Sequence, residues 1–201
     1  IRYAEQLGYR IKLLGISKRT GTGVELRVHP TLIPTKRLIA NVEGAMNAVL
    51  VKGDAVGATL YYGKGAGAEP TASAVIADLV DVTRMHTADP EHRVPHLAFQ
   101  PDAVVDLPIL PQSEIVTSYY LRLRVEDKPG VLADITRILA DQGISIDAML
   151  QREPEEGEGE TDIIILTHVC QESAADTAIA KIEGLAAQKG KVKRIRLEEL
   201  Q

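Results

Sequence analysis

Half of the chain's prolines are crowded into one segment of just over twenty residues. Pro90, Pro95, Pro101, Pro108 and Pro111 are five of the ten in the sequence. Proline lacks a backbone N–H and fixes its own φ angle, so repeated proline prevents a helix and weakens strand pairing. We therefore predict an extended linker over residues 89–117, with a domain boundary inside it.

The part before the linker is rich in predicted strands. Residues 24–28 alternate between apolar and charged side chains, and a Gly-rich turn at 20–23 joins them to an earlier strand over 10–18. A second strand pair is predicted over 45–51 and 58–62. These antiparallel pairs lack a core of their own and need the rest of a sheet, which favours a homo-oligomer over a monomer.

A glycine-rich turn connects the last of these strands to a predicted helix. Residues 63–68 read Gly-Lys-Gly-Ala-Gly-Ala, and Pro70 suits the first helical position. The spacing satisfies the G-x-G-x-x-A pattern of dinucleotide sites, but no second strand follows, so a complete Rossmann start is not predicted. Two interpretations stay open: the bare backbone receives a ligand at a helix start, or the segment is only a tight turn.

The part after the linker, residues 118–201, predicts six elements in the order β-α-β-β-α-β. Strands are expected at 120–125, 144–151, 162–169 and 191–197, with helices from about 131 and 173. That order is ferredoxin-like, a four-stranded antiparallel sheet with two helices on one face. The predicted fold class is α+β: a partial mixed or antiparallel sheet region followed by a ferredoxin-like domain.

The turn between the first strand and first helix of this domain is a second candidate site. It reads Glu-Asp-Lys-Pro-Gly over residues 126–130. Gly130 permits close backbone approach, and the helix start presents N–H groups suited to a carboxylate. An ordinary capped turn would use the same residues, so the pattern alone leaves both interpretations open.

Composition restricts the other kinds of site. Cys170 is the single cysteine, which excludes an intrachain disulfide and a Cys-rich zinc site and fits the cytoplasm. The five histidines show no metal-ligand spacing, so no metal site is predicted. One Phe, no Trp and no basic stripe argue against nucleic-acid binding. No apolar run reaches the roughly 18 residues of a membrane span.

Several motifs, taken in order, resemble one known family. They are residues 11–16 (Ile-Lys-Leu-Leu-Gly-Ile), 29–34 (His-Pro-Thr-Leu-Ile-Pro), 47–49 (Asn-Ala-Val), 53–54 (Gly-Asp), 62–67 (Tyr-Gly-Lys-Gly-Ala-Gly) and 70–75 (Pro-Thr-Ala-Ser-Ala-Val). This series resembles the closing part of the catalytic region of homoserine dehydrogenases. Residues 126–132 and the β-α-β-β-α-β order resemble an ACT domain. The chain is identified by this resemblance as the C-terminal portion of such an enzyme.

The resemblance implies a division of the chain into four parts. Residues 1–63 would end the substrate and dimerisation region, and residues 64–88 would form the turn and a helix returning to the nucleotide-binding domain. Residues 89–117 would be the linker and 118–201 the regulatory ACT domain. The implied activity is the NAD(P)-dependent interconversion of aspartate semialdehyde and homoserine, on the route to threonine, methionine and isoleucine.

For the cofactor, the resemblance points to the glycine-rich turn. Gly67 would abut the nicotinamide nucleotide, NAD or NADP, with Gly65, Ala66 and Thr71 as neighbours. The main cofactor fingerprint, the substrate-binding carboxylates and the proton-donating lysine would precede Ile1, which lies at the start of a predicted helix. No catalytic residue is therefore named, and the chain alone is expected to be inactive without the missing N-terminal part.

For the regulatory domain, the resemblance implies an amino-acid effector bound between paired copies, with threonine expected. Asp127 or its backbone would meet the effector's ammonium group, and Gly130, Val131 and Leu132 would present N–H groups to its carboxylate. Ile144, Ser145 and Ile146 would line the other wall. The alternative is a non-catalytic ACT-type amino-acid sensor, in which residues 1–117 serve only as a dimerisation platform.

Overall fold

The computed structural model describes residues 1–89, 99–152 and 159–200. Contacts divide the chain into two compact units, one formed by Ile1–Lys36 with Pro108–Gln201 and the other by Arg37–Leu107. Within the residues described, no helix has the length and apolar character needed to span a membrane. Pro90, Pro95, His92 and His96 of the predicted linker region lie outside the described residues.

The strands and helices have the following bounds. The strands are β1 Tyr9–Arg19, β2 Val24–Pro34, β3 Met46–Gly53, β4 Gly57–Lys64, β5 Val116–Glu126, β6 Ile146–Gln151, β7 Glu160–Thr167, β8 Cys170–Gln171 and β9 Lys193–Leu197. The helices are α1 Arg2–Gln6, α2 Ala68–Thr87, α3 Val131–Asp141 and α4 Glu172–Glu183. Short 3-10 turns lie at Leu38–Asn41, Pro101–Ala103 and Gln112–Glu114.

The larger unit contains the predicted β-α-β-β-α-β order in β5, α3, β6, β7, α4 and β9. Its sheet runs β1-β2-β9-β5-β7-β6, with β8 pairing β5. The four strands of the ferredoxin-like part pair with one another in antiparallel fashion. The predicted α+β class, with a sheet region and a ferredoxin-like part, is therefore confirmed.

Strands β1 and β2 extend this sheet beyond the ferredoxin-like part. They form an antiparallel pair from Tyr9 with Pro34 to Arg19 with Val24. β2 then joins β9 in parallel through Thr31 and Leu32. The sequence predicts that these strands need a larger sheet, but it gives no sign that the sheet is this one.

Two apolar cores lie on the two faces of the sheet. Helices α3 and α4 cover one face, and residues spaced three or four apart on each helix point inward: Val131, Ile135, Leu139, Ala175, Ala178 and Ile182. The opposite face packs Leu32, Tyr120, Ile164 and Leu197 around Ala4 of α1. Since both faces are covered at the middle of β5, the consecutive residues Tyr119, Tyr120 and Leu121 are all buried.

The alternation in β2 has an unexpected orientation. Its apolar residues Leu26 and Val28 are 52% and 73% exposed, whereas Glu25 and Arg27 are 3% and 8% exposed. Arg27 Nη2 lies 3.3 Å from Glu25 Oε2 and 2.7 Å from Glu198 Oε1. The charged residues are buried because they share a sheet face with the polar residues of the neighbouring β9.

The end of the linker is held against β2. The Val24 amide donates to the Pro108 carbonyl at 2.9 Å, and the Leu110 amide donates to the Val24 carbonyl at 2.9 Å. The described linker residues also include two short 3-10 turns. Pro101 is the first residue of one turn, and Pro111 directly precedes the other. At these positions the missing proline N–H breaks no hydrogen bond of the turn, whereas proline within a longer helix would break one.

The smaller unit consists of the β3–β4 hairpin, whose register runs from Met46 with Lys64 to Gly53 with Gly57, and the helix α2. The helix begins at Ala68, two residues before the predicted start, so Pro70 is its third residue. This position still lies in the first turn, where backbone N–H groups have no partner within the helix.

Glu172 forms a buried ionic cluster at the start of α4. Its side chain is 1% exposed and accepts hydrogen bonds from the Tyr119 hydroxyl at 2.6 Å and Arg196 Nε at 2.8 Å. Arg194 Nη2 lies 3.2 Å from the same carboxylate. Burial alone would raise the pKa of Glu172, but the hydrogen bonds from Arg196 and Tyr119 and the two arginine charges hold the pKa below its usual value.

The substitution Glu172→Gln should lower the free energy of unfolding near neutral pH by about 3 kcal/mol, because it leaves the largely buried Arg196 guanidinium without its counter-charge and Arg194 with only the exposed Asp176. The exposed Asp176, which also pairs with Arg194, supplies the control: Asp176→Asn should cost less than about 0.5 kcal/mol. Urea denaturation measures both, and equal losses would contradict the prediction.

The pH dependence of stability provides a second test of this cluster. A folded pKa below the ordinary carboxyl value of 4.5 stabilises the fold above that value, and the contribution is lost as the pH falls through the folded pKa. Glu172→Gln should therefore flatten the fall of stability with acidification below pH 4.5. If stability falls with decreasing pH equally steeply in the variant and in the unaltered chain, other carboxyl groups cause the fall.

Candidate functional site

The glycine-rich turn lies on the surface between β4 and α2. Gly65, Ala66 and Gly67 are all exposed, and the helix begins at the next residue. The Thr71 amide donates to the Gly67 carbonyl at 3.2 Å, which closes the first turn of the helix. The four residues predicted to lie beside a cofactor are thus neighbours on one exposed turn.

Gly67 is required by the local geometry, whereas Gly65 is only closely packed. A Cβ atom at Gly65 would lie 2.3 Å from the side-chain nitrogen of the exposed Asn47, so the Asn47 side chain would have to shift. Gly67 has a φ of 124°, which other residues adopt only with strain. Asn47 lies in β3 and Gly65 directly follows β4, so their proximity has no local sequence signal.

Helix α2 has an exposed apolar face directly after this turn. The face comprises Val75, Ile76, Leu79, Val80, Val82 and Met85, which are 42% to 59% exposed. None of the residues of α2 is buried. A contiguous apolar surface of this kind marks an interaction site on a protein.

The second candidate turn, residues 126–130, leads into α3. The Asp127 amide donates to the Gly159 carbonyl at 3.0 Å, so the turn is tied to the start of β7. Gly130 is the residue before the helix and has a left-handed φ of 93°, and the space beside its Cα is open. The Val131 side chain is buried in the core, whereas Asp127 is exposed.

Glu126 pairs with two lysines beside this turn. Hydrogen bonds from Lys128 at 2.7 Å and Lys189 at 2.6 Å lower the pKa of Glu126 to about 2. The carboxylate is therefore ionised throughout the neutral range. It fixes two lysine ammonium groups beside the turn.

The other predicted wall lies at the far end of α3. Ile144 is 4% exposed, and its amide donates to the Leu139 carbonyl at 2.9 Å, while the exposed Ser145 accepts a hydrogen bond from the His168 amide through its carbonyl. In the strand register, Glu126 pairs with Glu160 at the start of β7, and Ile146 pairs with Thr167 at its end. The 11-residue helix between the two walls is about 16 Å long. The two walls therefore do not face each other within one chain.

Across the described ranges, no three His, Cys, Asp or Glu side chains are placed so that they could hold a metal ion. The free Cys170 is half-buried in β8, and burial raises the pKa of its thiol.

Two family models match the chain on either side of the linker. The homoserine dehydrogenase model matches residues 1–80, and the ACT domain model matches residues 119–187. Homoserine dehydrogenase of Pseudomonas aeruginosa is 58% identical over 200 residues, which are 100% of this chain and 46% of the relative. That of Methylobacillus glycogenes is 62% identical over 95% of this chain and 45% of its own length.

A solved structure gives the same result. The crystal structure of a homoserine dehydrogenase from Thiobacillus denitrificans is 71% identical and superposes with a TM-score of 0.91, over 100% of this chain and 45% of that one. The chain belongs to the homoserine dehydrogenase family. It spans less than half the length of the relatives that it matches.

The family matches coincide with the two candidate turns. The homoserine dehydrogenase match extends through the glycine-rich turn and ends within α2, and the ACT match includes the turn before α3 and the whole of β6. The resemblance identified from the sequence motifs is confirmed. In this family member, each of the two matched segments contains one exposed turn that opens a helix.

The substitution Gly130→Ala should lower the free energy of unfolding by about 1 kcal/mol, because alanine is strained at a φ of 93°. Gly21, which has neither a left-handed φ nor a neighbour within 4 Å of its Cβ position, provides the matched control. Urea denaturation of Gly21→Ala should show no loss of stability. A loss of the same size in both variants would show that the conformation of Gly130 is not the cause.

Proposed function

We propose that this chain is the C-terminal portion of a homoserine dehydrogenase that interconverts L-aspartate 4-semialdehyde and L-homoserine with NAD or NADP. The observation that carries this proposal is the similarity over the entire chain to relatives of that name. The match of residues 1–80 to the homoserine dehydrogenase model favours this function over a non-catalytic sensor. The proposed place of action is the cytoplasm, where a single free cysteine is stable.

In this proposal the four parts of the chain have separate tasks. Residues 1–63 complete the substrate and dimerisation region, and 64–88 approach the nucleotide. Residues 89–117 connect these parts to the regulatory domain at 118–201. The exposed apolar face of α2 supports the second assignment, because the part of the longer protein outside this chain would cover that face.

The residues of the glycine-rich turn fit a nucleotide cofactor. Gly65 and Gly67 carry no side chain and Ala66 only a methyl group, so a flat ligand could lie directly against the exposed backbone. The first N–H groups of α2 lack partners within the helix and could hydrogen-bond a polar group of that ligand. The bound cofactor would supply the hydride. The turn would help to position the cofactor and would present no bulky side chain to it. Proton transfer belongs to residues outside this chain, so the chain alone should be inactive.

The regulatory part is proposed to bind an amino acid, with threonine as the effector, between two copies of the chain. The turn at Asp127 and Gly130 would come from one copy, and Ile144, Ser145 and Ile146 from its partner copy. The 11-residue separation of these walls along α3 supports this arrangement, because one chain cannot bring both walls to one small ligand. A homo-oligomer is therefore part of the proposal.

The cofactor role is tested with Gly67→Val in the full-length enzyme. The branched side chain would occupy the approach path, and the Michaelis constant for NAD(P)H should rise about tenfold, equivalent to about 1.4 kcal/mol. The control is Gly57→Val, which also places a branched side chain at a glycine with a positive φ, here 77°, where the space beside the Cα is open. If both variants have the same Michaelis constant for NAD(P)H, Gly67 does not belong to the cofactor site.

The effector role is tested with threonine and the 201-residue chain. At about 100 times its dissociation constant, threonine should stabilise the fold by about 2.7 kcal/mol through linkage, seen as a higher melting temperature. Sedimentation velocity analysis should also show a larger fraction of dimer when threonine is present, because two copies of the chain form each site. Asp127→Ala should abolish both effects and Asp176→Ala should retain them. A melting temperature unaffected by millimolar threonine would overturn the choice of effector.

A further inference from the structure

A groove lined by basic residues lies on the sheet face opposite helices α3 and α4. Its volume is about 350 Å³. The charged residues lining it are Arg122, Arg124, Lys189, Lys191, Lys193 and Asp162. Arg122 follows Tyr120 by two positions in β5 and therefore shares the face of Tyr120, away from the helices.

This concentration of positive charge contrasts with its surroundings. Residues 118–201 contain 11 Lys and Arg against 16 Asp and Glu, so this part of the chain is acidic. Five of those 11 basic residues nevertheless line the one groove. The local excess of cations is a property of the fold, not of the overall composition.

Three of the five cations are neutralised by nearby carboxylates. Arg124 Nε lies 3.1 Å from Glu160 and its Nη1 lies 3.6 Å from Asp162. Lys189 lies 2.6 Å from Glu126. Lys191 lies 2.6 Å from Glu183. These three cations and Asp162 are therefore already engaged in ion pairs.

The other two cations, Arg122 and Lys193, stand directly opposite each other across the β5–β9 ladder. Among the described carboxylates, none lies within 4 Å of either residue. Lys193 contributes to lowering the pKa of Glu183 but forms no ion pair with it. Like charges directly opposite on neighbouring strands destabilise a sheet, so the fold itself gains nothing from this pair.

We propose that Arg122 and Lys193 hold a phosphate group in this groove, either as free phosphate or as part of a small phosphorylated metabolite. Two unneutralised cations match the charge of a phosphate near neutral pH. The guanidinium fork of Arg122 can donate two parallel hydrogen bonds to phosphate oxygens, and the Lys193 ammonium adds a mobile point charge. The site uses none of the residues assigned to the cofactor or the effector.

The binding test is a titration of the isotope-labelled 201-residue chain with inorganic phosphate, at constant ionic strength and neutral pH. The amide resonances of Arg122, Gly190 and Lys193 should shift and saturate. Arg122→Gln and Lys193→Gln should each weaken binding about tenfold, because each removes one charge-assisted contact. Lys181→Gln, an equal change of charge on the exposed side of α4, should leave binding unchanged.

A stability measurement separates a binding role from a structural one. Without phosphate, Arg122→Gln should unfold at the same or a higher temperature than the unaltered chain, because the cross-strand repulsion is relieved. A lower melting temperature would identify Arg122 as a structural residue and overturn the proposal. Equal resonance shifts with chloride, or unweakened phosphate binding in both variants, would also overturn it.

The source of the phosphate is distinguished by a third ligand. Adenosine 5′-monophosphate that binds more tightly than inorganic phosphate would identify a nucleotide as the ligand. Equal affinities would identify the phosphate group alone. Unphosphorylated adenosine should bind in neither case, and its binding with the same affinity as the nucleotide would contradict recognition through phosphate.

Discussion

Strand β5 supplies buried residues to both cores and is bonded on both edges, and the packing of the larger unit is organised around it. Tyr119, Leu121 and Leu123 point towards α3 and α4, while Tyr120 points into the second core. β7 and β9 pair with its two edges. A slip of one residue would exchange the two faces, so the register cannot change without exposing one core and disrupting the other. The turn before α3 is fixed in place because it continues directly from this strand.

Much of the ferredoxin-like part could be predicted because its signals are local. Apolar residues spaced three or four apart identify α3, and the left-handed Gly130 marks where that helix begins. The position of β2 could not be predicted, since its pairing with β9 joins residues more than 160 positions apart. Nor does the alternation of β2 indicate which side is buried: Glu25 and Arg27 lie inside, where Arg27 pairs with Glu198, the residue that directly follows β9.

The candidate sites were predicted to a similar extent. The glycine positions follow from the chain itself, because left-handed backbone and close contacts favour that residue wherever they occur. The contact between Gly65 and Asn47 depends on the hairpin register and has no local signal. The same limit applies to charge on β9. Arg194 and Arg196 face a buried carboxylate on one side of the sheet, and Lys193 on the other side has none, although all three are similar basic residues in sequence.

If the proposed effector site is formed by two copies of the chain, the separation of its two walls along α3 has a genetic consequence. A dimer would hold two equivalent sites, each built from the turn of one copy and the strand of the other. If one allele damages only the turn and another only the strand, a mixed dimer has one site with both defects and one site with neither. Feedback lost in either parent strain would then return in part in the heterozygote, a complementation that a site contained within a single chain could not give.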